Sequence, residues 1–203
     1  MILENNMQQR SLETRARLLE AALKCFAKDG YNAASVDAIC AEAGVSKGAF
    51  YHHFPSKQDL FLALLQGWLT TIDGGLDAAR HGSVPETLIE MTEMLPAILA
   101  AADERLLMFL EFLLQASRDE KVWQATIAPY RRYQDYFAAL IREGIAEGSF
   151  DDVNPQVAAR LLVSLAVGLL LQGLLDPNGA DWEEVAREGM KIILKGLAKQ
   201  DHA

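Results

Sequence analysis

Apolar residues recur at three- and four-residue intervals along nearly the whole chain, and no convincing stretch alternates with a period of two. That pattern predicts an all-helical protein of about nine helices. A first helix is expected from about Ser11 to Lys28, with Ala16, Leu19, Leu23, Phe26 and Ala27 on its apolar stripe and a stop at Asp29-Gly30. Ser35 is placed to cap a short second helix with Val36, Ile39, Cys40 and Ala43 at i, i+3, i+4 and i+7. After Ala43-Gly44-Val45, Ser46 opens a third short helix that runs through Tyr51 or His52. Helices of one or two turns do not stand alone, so both are expected to pack on the first.

Phe54-Pro55-Ser56 interrupts the chain, and Ser56-Lys57-Gln58-Asp59 reads as a capping box for a longer fourth helix carrying Leu60, Phe61, Leu64, Leu65, Trp68 and Leu69. That helix fades near Gly74-Gly75. A fifth helix starts at Ser83, a sixth spans Asp103 to Gln115, and a seventh starts at Ser117 and ends at Gly148, with a kink expected at Pro129. Asn154-Pro155 opens the eighth, and Asp181-x-x-Glu184 opens the ninth, which ends near Lys199. The fifteen residues from Leu161 to Leu175 lack any charge. A membrane span takes about 18 or more apolar residues, so a buried helix is expected there. The N-terminus has neither the basic start nor the apolar run of a signal peptide, and a cytoplasmic protein with no membrane partner is expected.

Composition sharpens this picture. The 203 residues are 51% hydrophobic and 23% charged, enough to build a core and too apolar for a disordered chain. Two cysteines, Cys25 and Cys40, are too few for a disulfide framework. The net charge of −9 taken whole argues against nucleic acid as a partner. Divided along the chain it reads differently. Residues 1–57 hold seven Lys/Arg and six Asp/Glu, whereas residues 58–203 hold twelve and twenty-two. A nearly neutral N-terminal module and an acidic C-terminal domain are therefore expected, with the boundary near residue 57.

The module carries the chemistry. Two short helices joined by Ala-Gly-Val form a helix-turn-helix pattern, with glycine able to take positive φ and Val45 able to plug the gap. The second of the pair would enter the major groove with Ser46, Lys47, Gly48 and Ala49 first. All but the lysine are short, which allows close backbone approach. Lys47 can reach guanine or phosphate, and Ala49 can meet a thymine methyl. Tyr51, His52 and His53 follow as phosphate donors, with Ser35 and Lys57 at the starts of the second and fourth helices.

Arg17-Leu-Leu-x-Ala-Ala-Leu, Phe26-Ala-x-x-Gly-Tyr31, Ser35-Val-x-x-Ile39, Ala43-Gly-Val-Ser-Lys-Gly-Ala-Phe-Tyr-His-His-Phe54 and Ser56-Lys57 together resemble the N-terminal module of the TetR (tetracycline-repressor-type) transcriptional regulators. The resemblance implies an all-helical homodimer with a three-helix DNA-binding module and a divergent helical domain for a small ligand and for dimer contact. It carries phosphate or base contacts onto Ser35, Ser46, Lys47, Gly48, Ala49, Tyr51, His53 and Lys57; His52 falls at a variable position. The expected activity is that of a one-component regulator, a repressor on a palindromic operator released by an apolar or amphipathic effector. An activator, or a regulator controlled by a protein, is the alternative. Strongly salt-sensitive DNA binding is expected, with Lys47, Lys57, Arg10, Arg15 and Arg17 as the local positive charge.

Other patterns compete. Gly44-Val-Ser-Lys-Gly48 matches the nucleophile elbow of serine hydrolases, which needs a strand before the serine; the helical period before Ser46 argues against that and against any enzyme. Cys25, Cys40, His52 and His53 fit no metal-ligand spacing, so no metal or cofactor is expected, and both cysteines read as small core residues, with redox sensing as the minor alternative. Trp68, Met91, Met94, Met108, Phe109, Phe112, Trp123, Tyr130, Tyr133 and Phe137 are ordinary core taken singly. Together most of them are candidates to line a ligand site. Glu111 interrupts an apolar run and has no basic residue at i±3 or i±4, marking either a solvent edge or a polar anchor in the pocket. The eighth helix is apolar around most of its circumference. Leu161, Leu165 and Leu169 on it, with Trp182, Val185, Gly189, Ile192, Ile193 and Gly196 on the ninth, are expected to form a two-fold four-helix dimer contact.

Overall fold

The structure, a computed structural model, describes residues 2–102 and 106–199. The described residues are mostly helical: α1 (Ile2–Ala33), α2 (Val36–Ala43), α3 (Lys47–His53), α4 (Lys57–Ala78), α5 (Val84–Glu90), α6 (Leu95–Ala102), α7 (Leu106–Ala116), α8 (Glu120–Ala146), α9 (Pro155–Leu175) and α10 (Trp182–Leu197). One turn of 3-10 helix, Met91–Met94, joins α5 to α6, so the fifth expected helix is two. The expected start of the sixth at Asp103 lies outside the described residues.

The chain folds as two compact units. The first comprises Met1–Leu69 and Glu104–Thr126, the second Thr70–Asp103 and Ile127–Ala203. In the first, Leu18, Ala22, Phe26, Ile39, Phe50, Leu60 and Phe112 form a core from which solvent is excluded. Phe61 and Phe112 stack at 4.1 Å between ring centroids, and Tyr31 meets both rings edge-on. The buried stripe of α1 is Leu18, Ala21, Ala22, Cys25 and Phe26, one position away from the expected one, while Ala16 and Ala27 are exposed. Alanines populate both faces of this helix and do not by themselves mark which one is inside. Helix α1 also starts nine residues earlier than expected, since Ile2 to Arg10 contains neither proline nor glycine.

Gly30 breaks α1 as expected. Its φ of 78° and ψ of 163° are non-helical and belong to a region open essentially to glycine alone. Ser56 caps α4, its Oγ accepting from the Asp59 N–H at 3.1 Å while its hydroxyl donates to the Asp59 carboxylate. At the head of α5 the Glu86 carboxylate accepts from the Ser83 N–H and hydroxyl, both at 2.8 Å, which holds its carboxyl below the ordinary range.

In the second unit Leu76, Leu88, Leu140, Ile141, Phe150, Leu162 and Met190 form the main core, with Leu95, Leu169 and Ala186 as a smaller one. Pro129 lies inside α8, where its missing N–H removes one helical hydrogen bond. Helix α9 corrects one expectation. Its 21 residues have a mean hydropathy of 1.9 over their most apolar stretch, so length and composition alone would let it cross a membrane. Its inner side nevertheless packs in the protein: Ala158, Ala159, Leu162, Val163, Leu169 and Gly173 are buried. Its outer side is exposed at Val157, Leu161, Val167, Leu171 and Leu175.

Candidate nucleic-acid interface

Helices α2 and α3 form the expected helix-turn-helix. Gly44 closes α2 at φ 62°, a left-handed position, and donates its N–H to Ala41 at 3.1 Å; Val45 then donates to Cys40 at 3.0 Å. Val45 packs against the core beneath the turn, as the plug reading expects. Arg17 reaches over from α1, its guanidinium donating to the carbonyls of Ala43 and Gly44. These are carbonyls that the end of α2 leaves without helical donors, and the long-range clamp fixes α2 on α1.

Helix α3 has one anchor. Phe50 is fully buried, and Phe54 just beyond the helix is nearly so. Anchoring at position 50 turns Lys47, Gly48, Tyr51 and His52 outward, all four exposed, with Tyr51 at 54%. Ser35 and Ser46 are exposed N-caps. Each hydroxyl oxygen accepts a backbone N–H, from Ala38 and Ala49 respectively, at 3.1 Å. That bond uses a lone pair and leaves the hydroxyl proton to donate. Ala49 and His53 are only half-exposed. Burial, with the neighbouring His52 and Arg15, holds His53 below its ordinary value and favours the neutral ring.

The charged residues are placed in ways that the sequence did not reveal. Lys57 is not held out toward solvent. Its ammonium donates to the carbonyls of Tyr31 at 2.7 Å, Ala34 at 2.9 Å and Asn32 at 3.3 Å, and lies 4.5 Å from the centroid of the Tyr31 ring. Burial pushes this ammonium below the usual lysine range, with Glu111 opposing. The expected phosphate donor is thus engaged in closing the loop between α1 and α2. Arg17 is similarly engaged, and Arg15 lies 5.1 Å from the Phe54 ring centroid. Lys47 pairs with Asp37 of α2, Nζ to Oδ1 at 2.7 Å.

Glu111 of α7 belongs to this same unit. Its Oε2 accepts from the Asn32 N–H at 3.2 Å, and a Cβ on Gly30 would lie 2.9 Å from both of its carboxylate oxygens. Half-exposed, it secures the chain just after the kink. Its partner is 79 residues away, outside any i±4 search.

The remaining ligand candidates separate. Phe112 is fully buried and Met91 nearly so, which makes both core residues. Trp68, Phe109 and Trp123 are half-buried in the first unit, and Met94 and Tyr133 in the second, with Tyr130 exposed. An open surface depression of about 560 Å³ is lined instead by His81, Gly82, Pro85, Glu86, Ile89 and Glu90. Asp73 is a polar centre missed in the sequence. It accepts from the Tyr133 hydroxyl at 2.9 Å and from Arg132 at 2.8 Å. Burial, then Asp73, pushes the Tyr133 phenol up to about 12. The one available signal was an acid among the apolar residues of α4, with no partner at helical spacing.

On the outer helices, Leu161 and Ile192 are 59% and 73% exposed, and Val185 and Gly196 are exposed beside them. Leu165, Trp182, Gly189 and Ile193 are half-buried, and Gly189 faces the Leu165 side chain. Leu169 is the exception to the expected contact surface. It is 6% exposed and packs with Leu95 and Ala186 inside its own chain.

Two of the competing motifs lose their structural context. Ser46 follows a helix and a turn, the wrong setting for a nucleophile elbow. Cys25 and Cys40 are buried in the first core, and burial raises both thiols, away from the reactive thiolate.

Comparison with known proteins agrees with this geometry. Residues 18–64 match the model of bacterial regulatory proteins of the tetR family, and residues 90–198 match the C-terminal domain of BetI-type transcriptional repressors. The transcriptional regulator UidR of Escherichia coli strain K12 is 26% identical over 202 residues, covering 95% of this chain and 97% of UidR. A TetR-family transcriptional regulator from Streptomyces coelicolor superposes with a TM-score of 0.74 at 25% identity, covering 92% of this chain and 97% of that one. GusR of Salmonella enterica gives a TM-score of 0.68 at 26% identity, with 90% and 95% covered. These relatives are transcriptional regulators rather than enzymes. With a capped helix-turn-helix at one end and a BetI-type match over more than half its length, the chain belongs to the TetR family of bacterial transcriptional regulators.

Proposed function

We propose that this regulator is a cytoplasmic, dimeric repressor that binds a palindromic operator through α3 and leaves it when a small apolar or amphipathic ligand binds. The observation that carries the reading is the outward face of α3, where Lys47, Gly48, Tyr51 and His52 stand exposed over a buried Phe50. Residues 1–57 act as the reading module, with Ser35, Ser46, Lys47, Gly48, Ala49, Tyr51 and His52 nearest the duplex. His53 contributes from the edge, and residues 58–203 serve ligand and dimer. Two-fold symmetry would set the recognition helices about 34–36 Å apart or somewhat further, one helical turn of DNA. A ligand that favours another separation lowers operator affinity by no more than its preference between the two states.

The dimer reading rests on the exposed apolar faces of α9 and α10. For the ligand, the half-buried Met94 and Tyr133 with the exposed Tyr130, all in the second unit, form the supporting set, with Asp73 as a polar partner of Tyr133.

Gel shifts on the DNA flanking the protein's own gene test the reading. Wild type is expected to retard that DNA and folded Lys47→Ala and Tyr51→Ala proteins to bind about 5- to 150-fold more weakly, the roughly 1–3 kcal/mol of a lost base or backbone contact. Equal binding by both folded variants rejects it. Adding ligands that raise the melting temperature is expected to release the DNA; activation of transcription by the bound protein would instead favour the activator alternative.

A further inference from the structure

We propose that Asp37 and Lys47 act as one element that selects a G·C pair in each operator half-site, Lys47 donating to guanine O6 and N7 while Asp37 accepts from cytosine N4. The proposal rests on the DNA-binding reading and adds to it a specificity role for Asp37. Asp37 lies in the first turn of α2 and Lys47 is the first residue of α3. Their side chains meet at 2.7 Å and stay 68% and 58% exposed. So exposed a pair adds little to stability.

Its chemistry argues against a phosphate contact. A lone lysine binds any phosphate, but a carboxylate beside it repels the same anion and cancels most of the local charge. Toward a base pair the combination is complementary. Guanine presents two adjacent acceptors, O6 and N7, and the paired cytosine presents the N4 donor next to O6. An ammonium and a carboxylate in contact match that acceptor–donor edge side by side. An A·T pair places its donor between two acceptors and adds the thymine methyl, so it fits the couple less well. The chain neighbours of the two residues, Ala38, Ser46 and Gly48, are small and exposed, so they add no bulk beside either side chain.

The test is selection from duplex DNA of randomised sequence, with wild-type, Asp37→Ala, Lys47→Ala and Asp37→Asn proteins, each checked for folding by thermal melting. Wild type is expected to enrich a palindrome with a G·C pair at one shared position. Asp37→Ala and Lys47→Ala should each lose about tenfold in preference at that same position and keep the rest of the site. Asp37→Asn, whose amide oxygen still accepts from N4, should retain part of it, and decides the matter if Asp37→Ala does not fold. For any variant that binds too weakly for selection, affinities on the enriched duplex and on one with that pair changed to A·T give the same readout. The proposal is overturned if the two alanine variants relax different positions, if the shared position is A·T, or if the Asp37 variants keep the wild-type preference. Enrichment of nothing by wild type would instead remove the DNA-binding reading beneath it.

Discussion

At the scale of single residues, the cations of residues 1–57 differ in what they hold. Arg17 and Lys57 hold backbone carbonyls, and Lys47 is paired and exposed. Gly30 and Glu111 show the same economy from the side of the acid. Gly30 is kinked at φ 78°, and its missing Cβ leaves room for the Glu111 carboxylate that secures Asn32. Gly30→Ala should therefore cost about 1–3 kcal/mol from the backbone conformation alone. A further penalty should come from the displaced carboxylate. In a Glu111→Ala background that further penalty should vanish while the backbone cost remains. A double-mutant cycle by urea unfolding separates the two, and strict additivity would show that the close approach carries no energy.

At the scale of elements, α9 has two different sides. Val157, Leu161, Ser164, Gly168, Leu171 and Leu175 follow one another at intervals of four, three, four, three and four residues. That is the spacing of a seam along which helices pack, and small residues at its centre permit close approach. The large members of this seam are exposed, while Leu162 and Leu169 on the other side are buried. Substitutions on the two sides should then behave differently. Leu169→Ala empties a core site and should destabilise the fold by about 2–5 kcal/mol. Leu161→Lys combined with Ile192→Lys should leave the helical circular dichroism unchanged and convert a dimer to a monomer in sedimentation. A double lysine variant that still sediments as a dimer would place the contact elsewhere, and wild type sedimenting as a monomer would remove the dimer reading.

Across the whole molecule, net charge is the wrong scale for partner prediction. The chain carries −9, yet residues 1–57 are nearly neutral and residues 58–203 hold the acid. Salt dependence of DNA binding should report the cations that meet phosphates, at about 0.9 in log–log slope for each. Lys57 is bonded to three carbonyls. Lys57→Met should accordingly lower stability by about 1–3 kcal/mol, through acceptors left without a donor, and leave the salt slope of operator binding unchanged. A slope reduced by about one would mean that Lys57 leaves its carbonyls for a phosphate. The compact units also depart from chain order, since Glu104–Thr126 folds with the N-terminal residues. Phe112 shows why: its ring stacks on Phe61, and no local pattern could announce a partner 51 positions earlier.

Local physics made much of this protein legible in the sequence. The caps at Ser35, Ser46, Ser56 and Asn154, the glycine stops at Gly30 and Gly44, and the stripe of Val36, Ile39, Cys40 and Ala43 all depend on neighbours within a few residues. They were sufficient to specify the helices, the helix-turn-helix and the family resemblance. The tertiary structure decided how individual side chains are spent. Glu111 bonds Asn32, Asp73 bonds Tyr133, Lys57 bonds three carbonyls, and Leu169 faces inward although it shares a helix with the exposed Leu161. Each of these depends on a partner more than twenty positions away or on which side of an apolar helix meets a core. Sequence periodicity fixes neither, because packing chooses among apolar faces and brings distant polar groups together only once the helices have docked.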